Sequence, residues 1–169
     1  MITKAEPKDI EALNILINSA YRGETSKQGW TTEADLLDGL RTDTADLRDL
    51  LARDNCTLLK YINDAGQVIG CVRLEKQNDQ LYLGMLTVAP QLQGKGIGKQ
   101  LLLAGEKEAK EQGCDAIYMT VISDRTELIA WYERWGYNNT GRKKPFPMGN
   151  PRFGIPKKKL EFSVLEKRI

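Results

Sequence analysis

The chain has 169 residues, of which 41% are hydrophobic and 28% are charged, a composition typical of one globular domain and not of a disordered or fibrous chain. Lys and Arg number 25 against 23 Asp and Glu, and the formal net charge of +2 gives no field that indicates nucleic-acid binding. Histidine is absent, which removes imidazole from catalysis and argues against a protein zinc site, so no metal ligand is predicted.

Cysteine usage and the N-terminal segment favour a cytoplasmic protein. Cys56, Cys71 and Cys114 match neither a disulfide framework nor a metal-binding pattern, which favours a reducing compartment. The first residues lack the apolar stretch of a signal peptide, and no window approaches the roughly 18 apolar residues of a membrane span. We therefore expect a single cytoplasmic domain over residues 1–169, with neither membrane nor nucleic acid as a partner.

Helix and turn signals dominate the first third of the chain. The proline at position 7 suits the first turn of a helix, and apolar residues then recur at the helical period. A run of turn formers without periodicity follows, which predicts a loop longer than most connections. The predicted elements are a strand over residues 2–5, a helix over 7–21, a loop over 22–30, a helix from Thr31 or Thr32 to about Leu40, and a helix over 44–53.

The rest of the chain alternates strand-like runs with two helical stretches. Hairpin-type turns separate the first three runs, which predicts three antiparallel strands. Asp124 and Glu127 have capping-box spacing at the start of the second helical stretch. The predicted elements are strands over residues 56–62, 68–75 and 81–88, a helix from Ile97 to Gly113, a strand over 114–122, a helix ending at Gly136, and strands over 137–142 and 160–167.

A glycine-rich turn between the third of these strands and the next helix is the most informative feature of the sequence. Gly94, Gly96 and Gly98 permit a tight turn in which several backbone N–H groups converge on one anion. The helix that follows adds unpaired N–H groups and the positive end of its dipole. The pattern therefore predicts a phosphate or pyrophosphate site.

The spacing of this turn differs from two common nucleotide-binding motifs. A P-loop requires Ser or Thr directly after its lysine, whereas Gln100 follows Lys99. A dinucleotide-binding fingerprint that begins at Gly94 requires a glycine where Lys99 stands. Neither motif therefore assigns the anion to a nucleotide.

Residues 93–98, Gln-Gly-Lys-Gly-Ile-Gly, match the pattern Gln/Arg-x-x-Gly-x-Gly/Ala, and by it the chain resembles the GNAT superfamily of acetyltransferases. The likeness extends to the preceding strand, to Leu101 and Leu102, and to residues 132–137, Tyr-Glu-Arg-Trp-Gly-Tyr. The resemblance implies an α/β (α+β) domain with a central mixed, mostly antiparallel sheet flanked by helices. It also implies transfer of acetyl from acetyl-CoA to a primary amine of a small molecule or peptide, by direct attack in a ternary complex, and is compatible with a homodimer.

The resemblance also implies how the coenzyme is held. In the family the strand before the turn bulges and splays from its neighbour, and pantetheine pairs with the freed edge like an added strand. An N–H near Leu86 would then polarise the acetyl carbonyl. The residues expected to bind CoA are Leu86, Thr87, Val88, Gln93, Gly94, Lys95, Gly96, Ile97, Gly98 and Lys99.

Two residues of the late helical stretch are expected to act near the thioester. Tyr132 matches the family's late tyrosine and is the expected proton donor to the departing thiolate. The alternative is a core tyrosine, because Tyr132 also lies on the apolar face of its helix. Arg125 stands where the family often has an asparagine that contacts the cofactor. It is expected either to supply a charged contact in its place or to lie on the surface.

The acceptor amine is expected to bind at two long loops, residues 22–30 and 145–153, because such loops carry specificity. The amine must lose a proton before attack, and neither a histidine nor a carboxylate on the 80–88 strand is present to take it. The expected acceptor-site residues are Glu24, Trp30 and Glu33. The alternative for the two glutamates is a solvated loop position, the usual place for Glu.

Two other functions stay open at this point. A catalytically silent acyl-CoA-binding or regulatory module on the same fold would bind the coenzyme without transferring acetyl. A nucleotide-binding protein would use the glycine turn for another phosphate, although the lysine and serine chemistry of such sites is missing.

Overall fold

The sequence forms nine strands and five helices in a computed structural model, which describes every residue from Met1 to Ile169. The helices are α1 (Ile10–Tyr21), α2 (Gly23–Ser26), α3 (Thr44–Ala52), α4 (Ile97–Glu111) and α5 (Thr126–Arg134). The strands are β1 (Ile2–Lys4), β2 (Leu37–Asp38), β3 (Cys56–Ile62), β4 (Val68–Gln77), β5 (Gln80–Val88), β6 (Ala116–Ile122), β7 (Asn138–Pro145), β8 (Ile155–Pro156) and β9 (Glu161–Arg168).

One mixed sheet organises the fold. Its strands pair in the order β1-β3-β4-β5-β6-β9-β7, and every neighbouring pair is antiparallel except β5 and β6, which are parallel. The short strands β2 and β8 form a separate antiparallel pair. The predicted mixed, mostly antiparallel sheet flanked by helices is confirmed. None of the helices combines the length and the apolar character that crossing a bilayer requires.

Each face of the sheet carries its own hydrophobic core. On one face α4 packs through Leu101 against residues that include Leu83. On the other face α1 packs through Leu13 against residues that include Leu58. Full burial of one such leucine contributes about 1.5–3 kcal/mol. A Cβ atom at Gly105 would lie 3.1 Å from a Leu83 methyl carbon, so the glycine allows α4 to approach the sheet closely.

A β-bulge interrupts the pairing of β4 with β5. Met85 and Leu86 together oppose Val72, because the register of the two strands shifts there by one residue. Met85 has a φ of 51°, which is uncommon for a residue with a side chain. The extra residue reverses the alternation of side chains, so Met85 packs in the core beside α1 whereas Leu83 packs beside α4. The bulge expected near Leu86 is therefore present.

The predicted helix over residues 31–40 is wrong. The Glu33 carbonyl accepts hydrogen bonds from the amides of Leu36 and Leu37, which closes a single turn. No helix continues beyond this turn. Leu37–Asp38 then pairs with Ile155–Pro156, a partner more than a hundred positions away in the sequence that local pattern cannot reveal. The loop expected over residues 22–30 contains the short helix α2.

The predicted capping box at the start of α5 is also wrong. Arg125 occupies the N-cap position, and no side chain caps the helix. Asp124 instead pairs with Lys158 at 2.5 Å, and Glu127 accepts a hydrogen bond from Thr31 at 3.0 Å. Both acidic side chains are therefore used in contacts with distant segments and not in the local box.

Candidate functional site

Two cavities open where β5 and β6 separate. The two strands pair only through Gln80–Tyr82 and Ala116–Tyr118, so the stretches beyond these residues diverge. The cleft cavity, of about 200 Å³, lies between the diverging strands. The turn cavity, of about 280 Å³, lies between the end of β5, the glycine turn and α5. The residues that line both cavities are Tyr21, Leu86, Arg125, Leu128 and Tyr132.

The glycine turn has the geometry of an anion site. Gly94 and Gly96 have φ values of 81° and 85°, in the left-handed region that residues other than Gly, Asn and Asp rarely adopt. Gly96 is the N-cap of α4, so the unpaired N–H groups and the positive dipole end of this 15-residue helix begin at the turn. No atom lies within 4 Å of the position that a Cβ would take at either glycine, which leaves room for a phosphate.

The residues predicted to bind CoA do not all face the turn cavity with their side chains. Ile97 packs into the core, so only its backbone is available to a ligand. Lys95 is exposed outside the cavity lining, and Lys99 lies at the cavity with its Nζ 4.3 Å from the Trp135 ring centroid. The predicted residues that line the turn cavity are Leu86, Thr87, Val88, Gln93, Gly94, Gly96, Gly98, Lys99 and Arg125.

Gln93 joins the glycine turn to the first long loop. Its side-chain Nε2 donates to the Val88 carbonyl at 3.2 Å, and its Oε1 accepts from the Thr31 amide at 3.3 Å. A Cβ on Gly29 would lie 2.6 Å from the same Oε1, so the loop passes directly over this side chain. Gln93 therefore forms part of the cavity wall.

Tyr132 lies at the junction of the two cavities. It is 5% exposed, lines both cavities, and its hydroxyl makes no hydrogen bond within the chain. Burial raises its pKa well above the usual range, so the hydroxyl stays protonated at neutral and alkaline pH. Nearby, the Tyr21 hydroxyl donates to the Leu86 carbonyl at 3.2 Å, and burial raises the pKa of Tyr21 to about 12. Tyr132 thus belongs to the core and to the site at once.

A cluster of charged side chains forms one wall of the cleft cavity, and we call it the arginine wall: Arg22, Glu33, Arg41 and Arg125. The Glu33 carboxylate accepts from Arg22 Nε with one oxygen and from Arg125 Nη1 with the other, at 3.0 Å each. Arg125 Nη2 also donates to the Thr31 hydroxyl at 2.8 Å. Arg125 is 6% exposed, so it does not lie on the surface, the alternative considered for it.

The structure separates the three residues expected at the acceptor site. Glu33 lines the cleft cavity within the arginine wall. Trp30, 51% exposed, lines the turn cavity beside the coenzyme-binding residues. The Glu24 side chain is 91% exposed, pairs with Lys27 at 3.1 Å and lines neither cavity. The three therefore do not form one binding site.

Several cavity residues have no sequence signal of their own. Phe146 and Phe153 line the cleft cavity from the loop expected at the acceptor site, whereas Tyr21, Arg41 and Phe162 line it from three other segments without such a signal. Their positions follow from long-range packing, which neither spacing nor periodicity encodes. Trp131 and Trp135 pack against the main core and also line the turn cavity.

Comparison with known proteins places this geometry in a family. The sequence model described as "Acetyltransferase (GNAT) family" matches residues 10–137, which include the glycine turn and Tyr132. The chain belongs to the GNAT acetyltransferase family. An acetyltransferase of Agrobacterium fabrum is 30% identical over 109 residues, which cover 64% of this chain and 73% of that protein. A mycothiol acetyltransferase of Pseudarthrobacter chlorophenolicus is 28% identical, and the match spans only 38% of its length.

Solved structures show the same fold. The ribosomal-protein-S18-alanine N-acetyltransferase of Escherichia coli aligns over 100% of this chain and 93% of its own, with a TM-score of 0.74 and 14% identity. The PaiA N-acetyltransferase of Thermoplasma acidophilum, solved in complex with coenzyme A, aligns over 100% and 98%, with a TM-score of 0.71 and 18% identity. At these identities the likeness supports the GNAT fold and leaves the acceptor unassigned.

Proposed function

We propose that this GNAT protein is an N-acetyltransferase that moves an acetyl group from acetyl-CoA to a primary amine by direct attack in a ternary complex. The observation that carries the proposal is the meeting of two cavities at Tyr132 and Leu86, where β5 and β6 diverge. One cavity ends at an anion-binding turn and the other at the arginine wall. Two ligands held in them would meet with their reacting groups in reach of each other.

The turn cavity suits the coenzyme. Backbone N–H groups of residues 94–98 and the positive end of α4 would hold its pyrophosphate, with Lys99 adding charge. Trp30, Trp131 and Trp135 offer apolar surface beside the turn. Acetyl-CoA supplies the thioester whose acetyl group is transferred.

Tyr132 is the proposed proton donor to the departing sulfur. Its hydroxyl is protonated because burial raises its pKa, has no hydrogen-bond partner in the protein, and faces the junction of the cavities. Arg125 contributes through position: its guanidinium is fixed by Glu33 and Thr31, and it lines both cavities between the two ligands. Glu33 acts within the arginine wall by orienting Arg22 and Arg125 with both carboxylate oxygens.

The test is acetyl-CoA binding by calorimetry followed by free-thiol release over a panel of amines, with Gly96→Asp and Gly96→Asn as a matched pair. Asp and Asn both tolerate the left-handed backbone of Gly96, so the two variants differ chiefly in one negative charge at the anion site. We expect Gly96→Asp to bind acetyl-CoA about tenfold to thirtyfold more weakly than Gly96→Asn, because the added carboxylate repels the pyrophosphate at the helix N-terminus.

Thiol release that requires an amine, and that is weaker in Gly96→Asp than in Gly96→Asn, would establish acetyltransferase activity. Tight binding without thiol release from any amine would favour the silent acyl-CoA-binding module, and equal binding by the two variants would overturn the assignment of the turn.

A further inference from the structure

The arginine wall carries more positive charge than its own carboxylate neutralises. Arg22, Arg41 and Arg125 line the cleft cavity together with a single acidic residue, Glu33. Both oxygens of that carboxylate are occupied by Arg22 and Arg125, at 3.0 Å each. Burial lowers the pKa of Arg22, Glu33 acts in the opposite direction, and the nearby Arg41 adds a smaller lowering effect, so the Arg22 guanidinium lies in a poorly solvated place. The wall is therefore a cationic surface whose excess positive charge a bound anion would neutralise.

Arg41 is the member of the wall whose guanidinium has no protein anion. It is partly buried, lies 5.2 Å over the Tyr21 ring centroid, and has no carboxylate within 4.0 Å. Arg152, which flanks the same loop region, is paired with Asp43 through two contacts of 3.0 Å. Arg41 is thus partly desolvated, packs on an aromatic ring and has no counter-ion at the cavity. Such an arginine is suited to bind a carboxylate of a ligand.

The rest of the cleft cavity limits the size and character of that ligand. Phe146, Phe153 and Phe162 supply apolar surface to the same cavity. The volume of about 200 Å³ suits a molecule of amino-acid size better than an oligosaccharide or a folded protein segment. In such apolar surroundings a carboxylate–guanidinium contact is stronger than on the open surface.

We propose that the acceptor is a small amino carboxylic acid, with its carboxylate on Arg41 and its amine directed toward Tyr132. This inference rests on the proposed acetyl transfer and narrows its substrate. In the reaction the nitrogen of the neutral amine bonds to the acetyl carbon as the C–S bond breaks, Tyr132 gives its proton to the departing sulfur, and the proton that the nitrogen loses restores the Tyr132 hydroxyl. The carboxylate is unchanged. The excess positive charge also favours the neutral form of the amine, which the attack requires in a chain without histidine.

The experiment compares leucine and phenylalanine with leucinamide and phenylalaninamide, which lack only the carboxylate charge, and adds spermidine as a polycation. Rates are expressed per concentration of neutral amine, because the amides are weaker bases. For the wild type we expect kcat/KM at least tenfold higher for the acids than for the amides, and lowest for spermidine. Arg41→Gln is expected to lower kcat/KM for the acids on the order of tenfold to a hundredfold and to lower it much less for the amides, so that the ratio of acid to amide kcat/KM falls toward one.

Arg48→Gln is the matched control, because Arg48 is exposed on α3 and has no paired carboxylate. Arg41→Lys retains the positive charge but lacks the two parallel N–H donors of a guanidinium. Its kcat/KM for the acids should fall between those of the wild type and Arg41→Gln. Binding of N-acetylleucine against N-acetylleucinamide, measured by calorimetry, gives a second readout that needs no turnover. Thermal unfolding checks that each variant is folded.

The outcomes separate the two proposals. Thiol release from amines with equal kcat/KM for acids and amides, or Arg41→Gln behaving as Arg48→Gln, would overturn the carboxylate assignment and leave the acetyltransferase standing. Preference for spermidine would also overturn it. Absence of thiol release from every amine would remove the proposed function, whereas N-acetylleucine binding that depends on Arg41 would still support the anion site.

Discussion

The glycine turn and the arginine wall line the two cavities that meet at Tyr132, and they are built in opposite ways. The turn is one continuous stretch, residues 93–99, whose shape follows from the positive φ of two glycines and the start of α4. The wall joins residues that are 11 and 92 positions apart through Glu33, and Arg22 Nη1 reaches the Phe153 carbonyl 131 positions away at 2.9 Å. The first is local in the sequence and the second is assembled only by folding.

This difference bears on what each region can do. Backbone N–H groups at a turn bind a phosphate whatever the neighbouring side chains are, so one such site can serve many acyltransferases with the same coenzyme. A wall made of side chains from several loops changes with every substitution, so it is suited to choose the acceptor. We therefore expect variants of the wall to affect stability and acceptor use more than coenzyme affinity.

Glu33→Gln should produce the largest effect, because it breaks the wall at its centre. Arg22 and Arg125, both nearly buried, would lose their shared counter-charge, and the Gln amide can accept from only one of them. We expect the free energy of unfolding, measured by urea denaturation, to fall by about 3–5 kcal/mol. Coenzyme affinity of the folded fraction should stay within about twofold of wild type, because the glycine turn does not depend on this contact.

Glu24→Gln is the control for the loss of a glutamate charge in the same loop. Its side chain is exposed and its partner is Lys27, so no measurable change in stability is expected. If Glu33→Gln lowers the free energy of unfolding no more than Glu24→Gln does, the buried ion pairs do not stabilise the arginine wall.

Tyr132→Phe tests the point where the two regions meet. Removal of the hydroxyl should lower kcat about a hundredfold, equivalent to about 2.7 kcal/mol, if the phenol protonates the leaving sulfur. Coenzyme affinity should not change, because the ring remains in place. Since burial raises the pKa of Tyr132, the wild-type rate should show no loss from its ionisation up to pH 10.

Tyr137→Phe is the matched control, because Tyr137 is also buried and its hydroxyl donates to Glu106 at 3.4 Å, away from both cavities. It should lose about 1 kcal/mol of stability at most and keep its turnover. Equal turnover of Tyr132→Phe and wild type would return Tyr132 to the role of a core residue.

The same contrast explains what the sequence predicted. The large sheet strands, α1, α3, α4 and the glycine turn were predictable because hydrophobic periodicity and glycine spacing act over short distances. The helix expected over residues 31–40 failed because Leu37–Asp38 pairs with the distant Ile155–Pro156, a contact that outweighs local propensity. The proposed carboxylate site had no signal either, because Arg41 is left without a counter-ion only after Arg22 and Arg125 have paired with Glu33.

Gly29→Ala should have the smallest effect, and it tests whether the two regions are coupled. The loop that leads to Glu33 lies on the glycine turn, and an added methyl at Gly29 would lie 2.6 Å from Gln93 Oε1. The flexible Gln93 side chain can move away, at the cost of its contacts with Thr31 and Val88. We expect two- to fivefold weaker acetyl-CoA binding by calorimetry, and a change of unfolding free energy below about 1 kcal/mol, because the lower entropy of the unfolded alanine variant offsets the lost hydrogen bonds.

Gly149→Ala provides the control, because no atom lies within 4 Å of its added methyl and its backbone does not require glycine. It should leave acetyl-CoA affinity at the wild-type level. If Gly29→Ala weakens acetyl-CoA binding while Glu33→Gln does not, the loop supports the turn through Gln93 independently of the arginine wall. If neither variant changes acetyl-CoA binding, the turn functions alone and the contact with Gln93 has no role in holding it.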